Sequence, residues 1–225
     1  MIKGILYFGV SITLLTFAYI RKQSHVTLNY LPLGDSYTIG TGASEKDAWP
    51  SVLVDHLNQN NIKCHLLVNP ARNGFSTLDL INVELPLVKE LKPDFVTLLI
   101  GANDWVRGVT KKTYTDNLIY ILEELQKEMP KNGKILLVTI PDFGVTPYGK
   151  NFLKNRNKDP SLSEFNAVIK EQGKLRKISV VDIFEISKKM GIDTSLVSSD
   201  GLHPSKKCYA LWESIILPEA LKLLK

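Results

Sequence analysis

Five short apolar runs, at 27–33, 63–68, 95–100, 135–140 and 178–183, alternate with longer stretches that are apolar on one side only. This alternation constrains the fold more than any other feature of the chain. Runs of about six residues that are mostly apolar are strands covered on both faces, and each gap between them is long enough for a crossover helix. A parallel sheet clothed by helices meets both conditions. The expected class is α/β: a three-layer α/β/α sandwich of flavodoxin-like type around a five-stranded parallel sheet.

The helical stretches are legible in their own right. Tyr114, Leu118, Ile121, Leu122 and Leu125 share one face at 3.6-residue spacing, with Glu123, Glu124 and Lys127 outside it. Ser161 and Glu164 have the spacing of a capping box opening a helix that carries Leu162, Phe165, Val168 and Ile169. A last helix is expected after Pro204 with Tyr209, Trp212, Ile215 and Ile216 on it, and Pro218 kinking or ending it. Residues 141–160, with three prolines and two glycines, are too long for an ordinary connection, and are either a substrate lid or a tolerated insertion.

A length of 225 residues suits one such domain. The formal charge of +5 arises largely outside it, because residues 1–25 hold three bases and no acid, leaving 25 bases against 23 acids. That balance excludes a nucleic-acid phosphate backbone as the expected partner. Cys64 and Cys208 cannot make a disulfide scaffold, and His25, His56, His65 and His203 lack paired metal-ligand spacing. No metal or other cofactor is expected, and no pattern in the chain sets an oligomeric state.

Residues 4–20 run without a charge between Lys3 and Arg21-Lys22, and no small-x-small cleavage site follows them. The expected organisation is a membrane anchor over 1–25 and a catalytic domain over 26–225 outside the cytoplasm. The alternative is a cleaved signal segment and a secreted or periplasmic domain. A tether as short as 21–26 is expected to keep a cleft near lipid and so to favour lipid-like or cell-envelope substrates.

Four segments carry chemistry. Gly34-Asp35-Ser36 follows the first strand, so Ser36 stands at a strand-to-helix turn at the carboxyl edge of the sheet, where backbone amides are free to meet negative charge. Asp200 and His203 are three apart on one loop, close enough for the carboxylate to orient the ring, and Pro204 restricts His203 to extended backbone. Gly74 permits close approach of its amide, and Asn103 offers a neutral side-chain donor. Taken singly, each has an ordinary structural reading as a helix cap, a turn residue or a packed histidine.

Together and in this order, GDSYTIG at 34–40, Asn73-Gly74, GAND at 101–104 and DGLHP at 200–204 resemble the SGNH subgroup of the GDSL hydrolase family. The resemblance covers nearly the whole body. It implies Ser36 as nucleophile, His203 as base, Asp200 as its orienter, and an oxyanion hole made by the Ser36 amide, the Gly74 amide and the Asn103 side chain. It also implies Trp105 as a wall of the substrate cleft. Asp35 and Asp104 are expected to be structural. Tyr37, where the family usually has leucine, should alter packing rather than chemistry. The expected function is serine ester hydrolysis through an acyl-enzyme, on short-chain acyl, lysophospholipid-like or acetylated cell-envelope esters. The alternative is a non-catalytic membrane-anchored binding module on the same fold.

Overall fold

A computed structural model describes residues 27–154 and 161–225. Its elements in chain order are β1 (Leu28–Gly34), α1 (Ser36–Ile39), α2 (Trp49–Gln59), β2 (Cys64–Leu66), α3 (Thr77–Val83), α4 (Leu85–Leu91), β3 (Phe95–Leu99), α5 (Ala102–Val106), α6 (Lys111–Glu128), β4 (Lys134–Val138), α7 (Gly149–Lys154), α8 (Leu162–Arg176), β5 (Ser179–Val181), α9 (Phe184–Ser187) and α10 (Lys206–Leu224). The expected anchor over 1–25 and residues 155–160 of the long connection lie outside the described residues. Among the described residues no helix is long and apolar enough to cross a membrane.

All strand pairs are parallel and the order is β2-β1-β3-β4-β5, the flavodoxin-like arrangement expected from the alternating pattern. The central strand β3 is buried along its whole length, as are Tyr30 to Gly34 of β1, because helices cover both faces of the sheet. The crossovers from β1 to β2 and from β3 to β4 leave in opposite directions, which with right-handed connections sends their helices to opposite faces. Accordingly α2 packs along α10, while α6 packs with α3, α4 and α8. The β2 and β5 ladders are only three residues long. Both are edge strands, and the apolar residues flanking them have no second neighbour to extend the pairing.

The predicted helix faces are buried as read. Tyr114, Leu118, Ile121, Leu122 and Leu125 of α6 lie in the core, and both halves of the Ser161–Glu164 capping box are formed at the start of α8. Tyr114 and Phe165 join these helices by stacking at 4.1 Å between centroids and 8° between planes. Pro218 does not end α10, which continues to Leu224. Ser214, whose carbonyl would have accepted the missing N–H, is exposed like Pro218, so water can take that bond.

The α6–α8 contact supports the sheet from one side. Replacing the fully buried Phe165 with alanine should destabilise the fold by about 3–5 kcal/mol, read as a lower denaturant midpoint with an unchanged slope.

Candidate active site

The site begins with a backbone constraint. Gly34 ends β1 at φ +156°, and a Cβ there would lie 2.3 Å from the Leu99 carbonyl oxygen and 2.3 Å from Thr38 Oγ1, so only glycine lets β1 turn this close to β3. Asp35 follows as the N-cap of α1, its Oδ1 accepting from the Tyr37 N–H at 3.0 Å. Ser36 opens the helix, and its own N–H meets no acceptor among the described residues.

The register Gly34↔Leu99 places the end of β3 beside the end of β1, so Asn103 on α5 emerges next to Ser36. Asn103 Nδ2 donates to the Phe75 carbonyl at 2.9 Å and lies 3.5 Å from Asp35 Oδ2. The loop carrying Gly74 is thereby tied to the same edge. Thr41 bonds to Asn73, and Arg107 donates to the Gly74 carbonyl at 2.7 Å and to Asp79 at 3.1 Å. Gly74 takes φ +82°, and its N–H also meets no acceptor among the described residues.

Asp200 and His203 come from the far end of the chain. The loop is closed by a bridge between Val197 and Pro204 and by the Ser198 N–H donating to the His203 carbonyl at 2.8 Å. His203 Nδ1 lies 2.6 Å from Asp200 Oδ2. An ionised carboxylate can only accept, so Nδ1 carries the proton and Nε2 of the neutral ring is left as an acceptor. Asp200 Oδ1 accepts from the Ser198 hydroxyl and from the Leu202 and His203 N–H groups. Partial burial would raise this carboxyl, but hydrogen bonds from His203, Leu202 and Ser198 outweigh it and hold Asp200 well below the usual carboxylate range. Tyr37 packs against the other side of the site, 5.6 Å from the His203 ring and 5.9 Å from Trp212, which bears out its packing role.

Ser36, Asn103 and His203 line one small hollow of about 60 Å3. Its remaining wall is largely apolar: Tyr37, Ala102, Val106, Phe143, Phe152 and Leu202. The structure therefore brings three of the predicted residues to one point, with Asp200 directly behind His203. Gly74 stands beside them on its tied loop but does not line the hollow. Trp105 does not line it either. Its ring is 3% exposed, packs edge-on against Phe143 at 5.6 Å, and faces a neighbouring cavity of about 300 Å3 with Leu153 and Phe184.

Three groups of residues escaped the sequence reading. Phe143 and Phe152 come from the 141–160 connection, whose described part folds back over the site with the Tyr148 N–H donating to the Gly201 carbonyl at 2.8 Å. Its length was the signal, although no periodicity marked which aromatic would turn inward. Arg107 had no motif around it. Glu84 is fully buried and accepts from the Gly34 N–H at 2.9 Å, while its other oxygen has no partner among the described residues. Among the described residues no cluster of histidine, cysteine and acidic groups could hold a metal ion.

Residues 33–211 match the GDSL-like Lipase/Acylhydrolase family. The chain belongs to this family. Among curated relatives, a multidomain esterase of Ruminococcus flavefaciens is 30% identical over 125 residues, 54% of this chain but only 15% of that protein. An arylesterase of Vibrio mimicus is 28% identical over 141 residues, 63% of this chain and 68% of that one. The solved structure of TesA superposes with a TM-score of 0.70 at 22% identity, covering 87% of this chain and 99% of the other. A family 3 carbohydrate esterase of Clostridium thermocellum gives 0.68 at 19%, covering 88% and 98%. At such identities these two structures bear on the fold alone.

In this member of the GDSL-like family the turn beneath Ser36 is built on buried acids. Burial pushes the Asp35 carboxyl up to about 7, against the bond from Tyr37 and reinforced by Asp104, and burial likewise raises Asp104 and Glu84. Between about pH 4 and pH 7 the folded chain holds a proton on Asp35 that the unfolded chain has released, so this group's contribution to stability falls as pH rises through that window. Asp35→Asn keeps an acceptor for the Tyr37 N–H and removes the titration. Its stability relative to the parent should therefore be more favourable at pH 8 than at pH 4, by up to about 4 kcal/mol at about 1.4 kcal/mol per pKa unit, measured by denaturant unfolding at both pH values.

Proposed function

We propose that the chain is a serine ester hydrolase acting through an acyl-enzyme, with Ser36 as nucleophile, His203 as general base and Asp200 as its orienter. The observation that carries this reading is the single hollow shared by Ser36, Asn103 and His203, with the His203 tautomer set from behind by Asp200 at 2.6 Å. Ser36 Oγ attacks the ester carbonyl carbon while His203 Nε2 takes its proton. The carbonyl oxygen becomes an oxyanion that accepts from the Ser36 N–H and from Asn103 Nδ2, donors already held in place by α1 and by the bond to Phe75. Gly74 supplies a third N–H from its tied loop. The bond to the leaving alcohol then breaks and His203 returns the proton to it. Water attacks the acyl-enzyme with His203 again as base, which releases the acid and restores Ser36.

The small apolar hollow favours a short acyl group over a long chain. The arylesterase among the relatives agrees with ester hydrolysis. The uncharged run at 4–20 supports reading 26–225 as an anchored domain, and placing that domain outside the cytoplasm is part of the same proposal, since Lys3 with the amino terminus balances Arg21 and Lys22.

On p-nitrophenyl esters the full-length protein should prefer acetate and butyrate to long acyl chains, and Ser36→Ala should lower kcat by at least about a thousandfold. A fluorophosphonate probe should label the parent and not the variant. Labelling that is absent from both would favour the non-catalytic binding module. Asn103→Ala should cost about a hundred- to a thousandfold in kcat with KM little changed, the result expected of a donor used only by the oxyanion.

A further inference from the structure

The chain joins the sheet at the edge opposite the hollow. β1 runs seven residues from Leu28 to Gly34, about 20 Å at the usual rise, and Ser36 lies just beyond its far end. The helix ends and loops that lead into strands β2 to β5, at 59–63, 92–94, 127–134 and 174–178, share the near edge with the end of α10, at 221–225. These segments hold ten basic residues against two acids, Asp94 and Glu128, whereas the rest of residues 26–225 holds fifteen bases and twenty-one acids. The near balance of the body thus conceals a strong separation of charge.

Much of the positive charge at this edge is unspent. Lys92, Lys127, Arg176 and Lys222 are partnered by Glu128, Glu124, Glu123 and Glu219, the last three just outside these segments. Lys63, Lys131, Lys134, Lys174, Lys177 and Lys225 are exposed and pair with no acid among the described residues. Lys63 adjoins the start of β1, its carbonyl accepting from the Leu28 N–H at 2.8 Å. Lys131, Lys134, Arg176 and Lys177 rim a hollow of about 310 Å3 with Leu125 and Ile135 in its lining, and Leu175 beside it is 68% exposed.

We propose that this edge docks on an anionic phospholipid surface and thereby holds the Ser36 hollow facing away from the bilayer. Two observations select lipid over another polyanion. The unpaired lysines lie along the same sheet edge at which the chain enters β1, Lys63 beside that entry and Lys131, Lys134, Lys174 and Lys177 before β4 and β5, and seven residues before the entry the sequence ends a seventeen-residue uncharged run. Those seven residues span at most about 25 Å, so a bilayer entered by residues 4–20 is never far from the edge. Lysines within a Debye length of an anionic surface, about 8 Å at physiological ionic strength, are drawn onto it. The inference rests on reading 4–20 as a membrane segment. It reverses the expectation drawn from the short tether: the edge brought near lipid is the one without the hollow, so the esters within reach belong to molecules outside the bilayer rather than to its own lipids.

The test uses the full-length protein with one added surface cysteine, Leu175→Cys at the basic edge or Tyr148→Cys beside the hollow; both positions are exposed, whereas Cys64 and Cys208 are buried. Each variant is labelled with a fluorophore and added to vesicles containing a lipid-borne quencher, made of phosphatidylcholine alone or with about 30 mol% phosphatidylglycerol. The label at 175 should be quenched severalfold more in the anionic vesicles, and the excess should vanish with K131E/K134E/K177E or in about 0.5 M salt. The label at 148 should be quenched in neither, and hydrolysis of p-nitrophenyl acetate should be unaffected by the charge reversals. Quenching at 148 instead of 175, equal quenching in both lipids, or capture by heparin without quenching at 175 would overturn the proposal. Flotation with neutral vesicles in high salt separates it from the anchor reading. Flotation without quenching at 175 in anionic vesicles keeps the anchor and overturns the docking. Quenching at 175 in anionic vesicles by a protein that does not float with neutral ones keeps the docking and overturns the anchor.

Discussion

The parallel pairing of β1 with β3 is the contact on which the rest depends. Parallel strands deliver their carboxyl ends to one edge, and the register Gly34↔Leu99 makes the chain leave both strands side by side. Ser36 comes two residues after one partner and Asn103 four after the other. That pairing also demands glycine at position 34, since a Cβ there would meet the Leu99 carbonyl at 2.3 Å. A side chain at 34 would push the strands apart at the point where the two site residues must converge.

The turn that follows carries a burden of buried charge. Asp35, Glu84 and Asp104 lie behind the hollow with almost no exposure, each tied to backbone N–H groups: Tyr37 for Asp35, Gly34 for Glu84 and Thr77 for Asp104. Desolvation raises all three carboxyls, and each offsets part of that cost by accepting from a backbone N–H at the end of β1 or the start of α1 or α3. Asp200 is the counterexample. It stays partly exposed, collects hydrogen bonds from one loop and remains a strong acceptor, which is what orienting His203 requires.

Local chemistry made much of this legible in the sequence. Strands that must be apolar on both faces announce themselves, and so do the face of α6 and the Ser161–Glu164 box, because each is decided by residues within one or two turns of one another. The edge strands were read too long because pairing, not hydrophobicity, ends a ladder. Trp105, expected as a wall of the substrate cleft, packs against Phe143 and lines the cavity beside the Ser36 hollow rather than the hollow itself, since an aromatic next to a motif can turn either way depending on packing that no local pattern reveals. Phe143, Phe152, Arg107 and Glu84 went unread for the same reason: their roles come from residues dozens of positions away.

By itself the sequence determined the fold class, the order of the elements and the identity of Ser36, Asn103, Asp200 and His203 as candidates, because periodicity, capping and short motifs act over a few residues. Only the tertiary structure decided which candidates share a hollow, how small that hollow is and which aromatics wall it. It also placed the unpaired lysines together on the opposite edge, where the sequence had shown a chain near charge balance. Convergence of this kind depends on strand direction and register, which bring together residues as distant as Ser36 and His203 and leave no trace in the spacing of either.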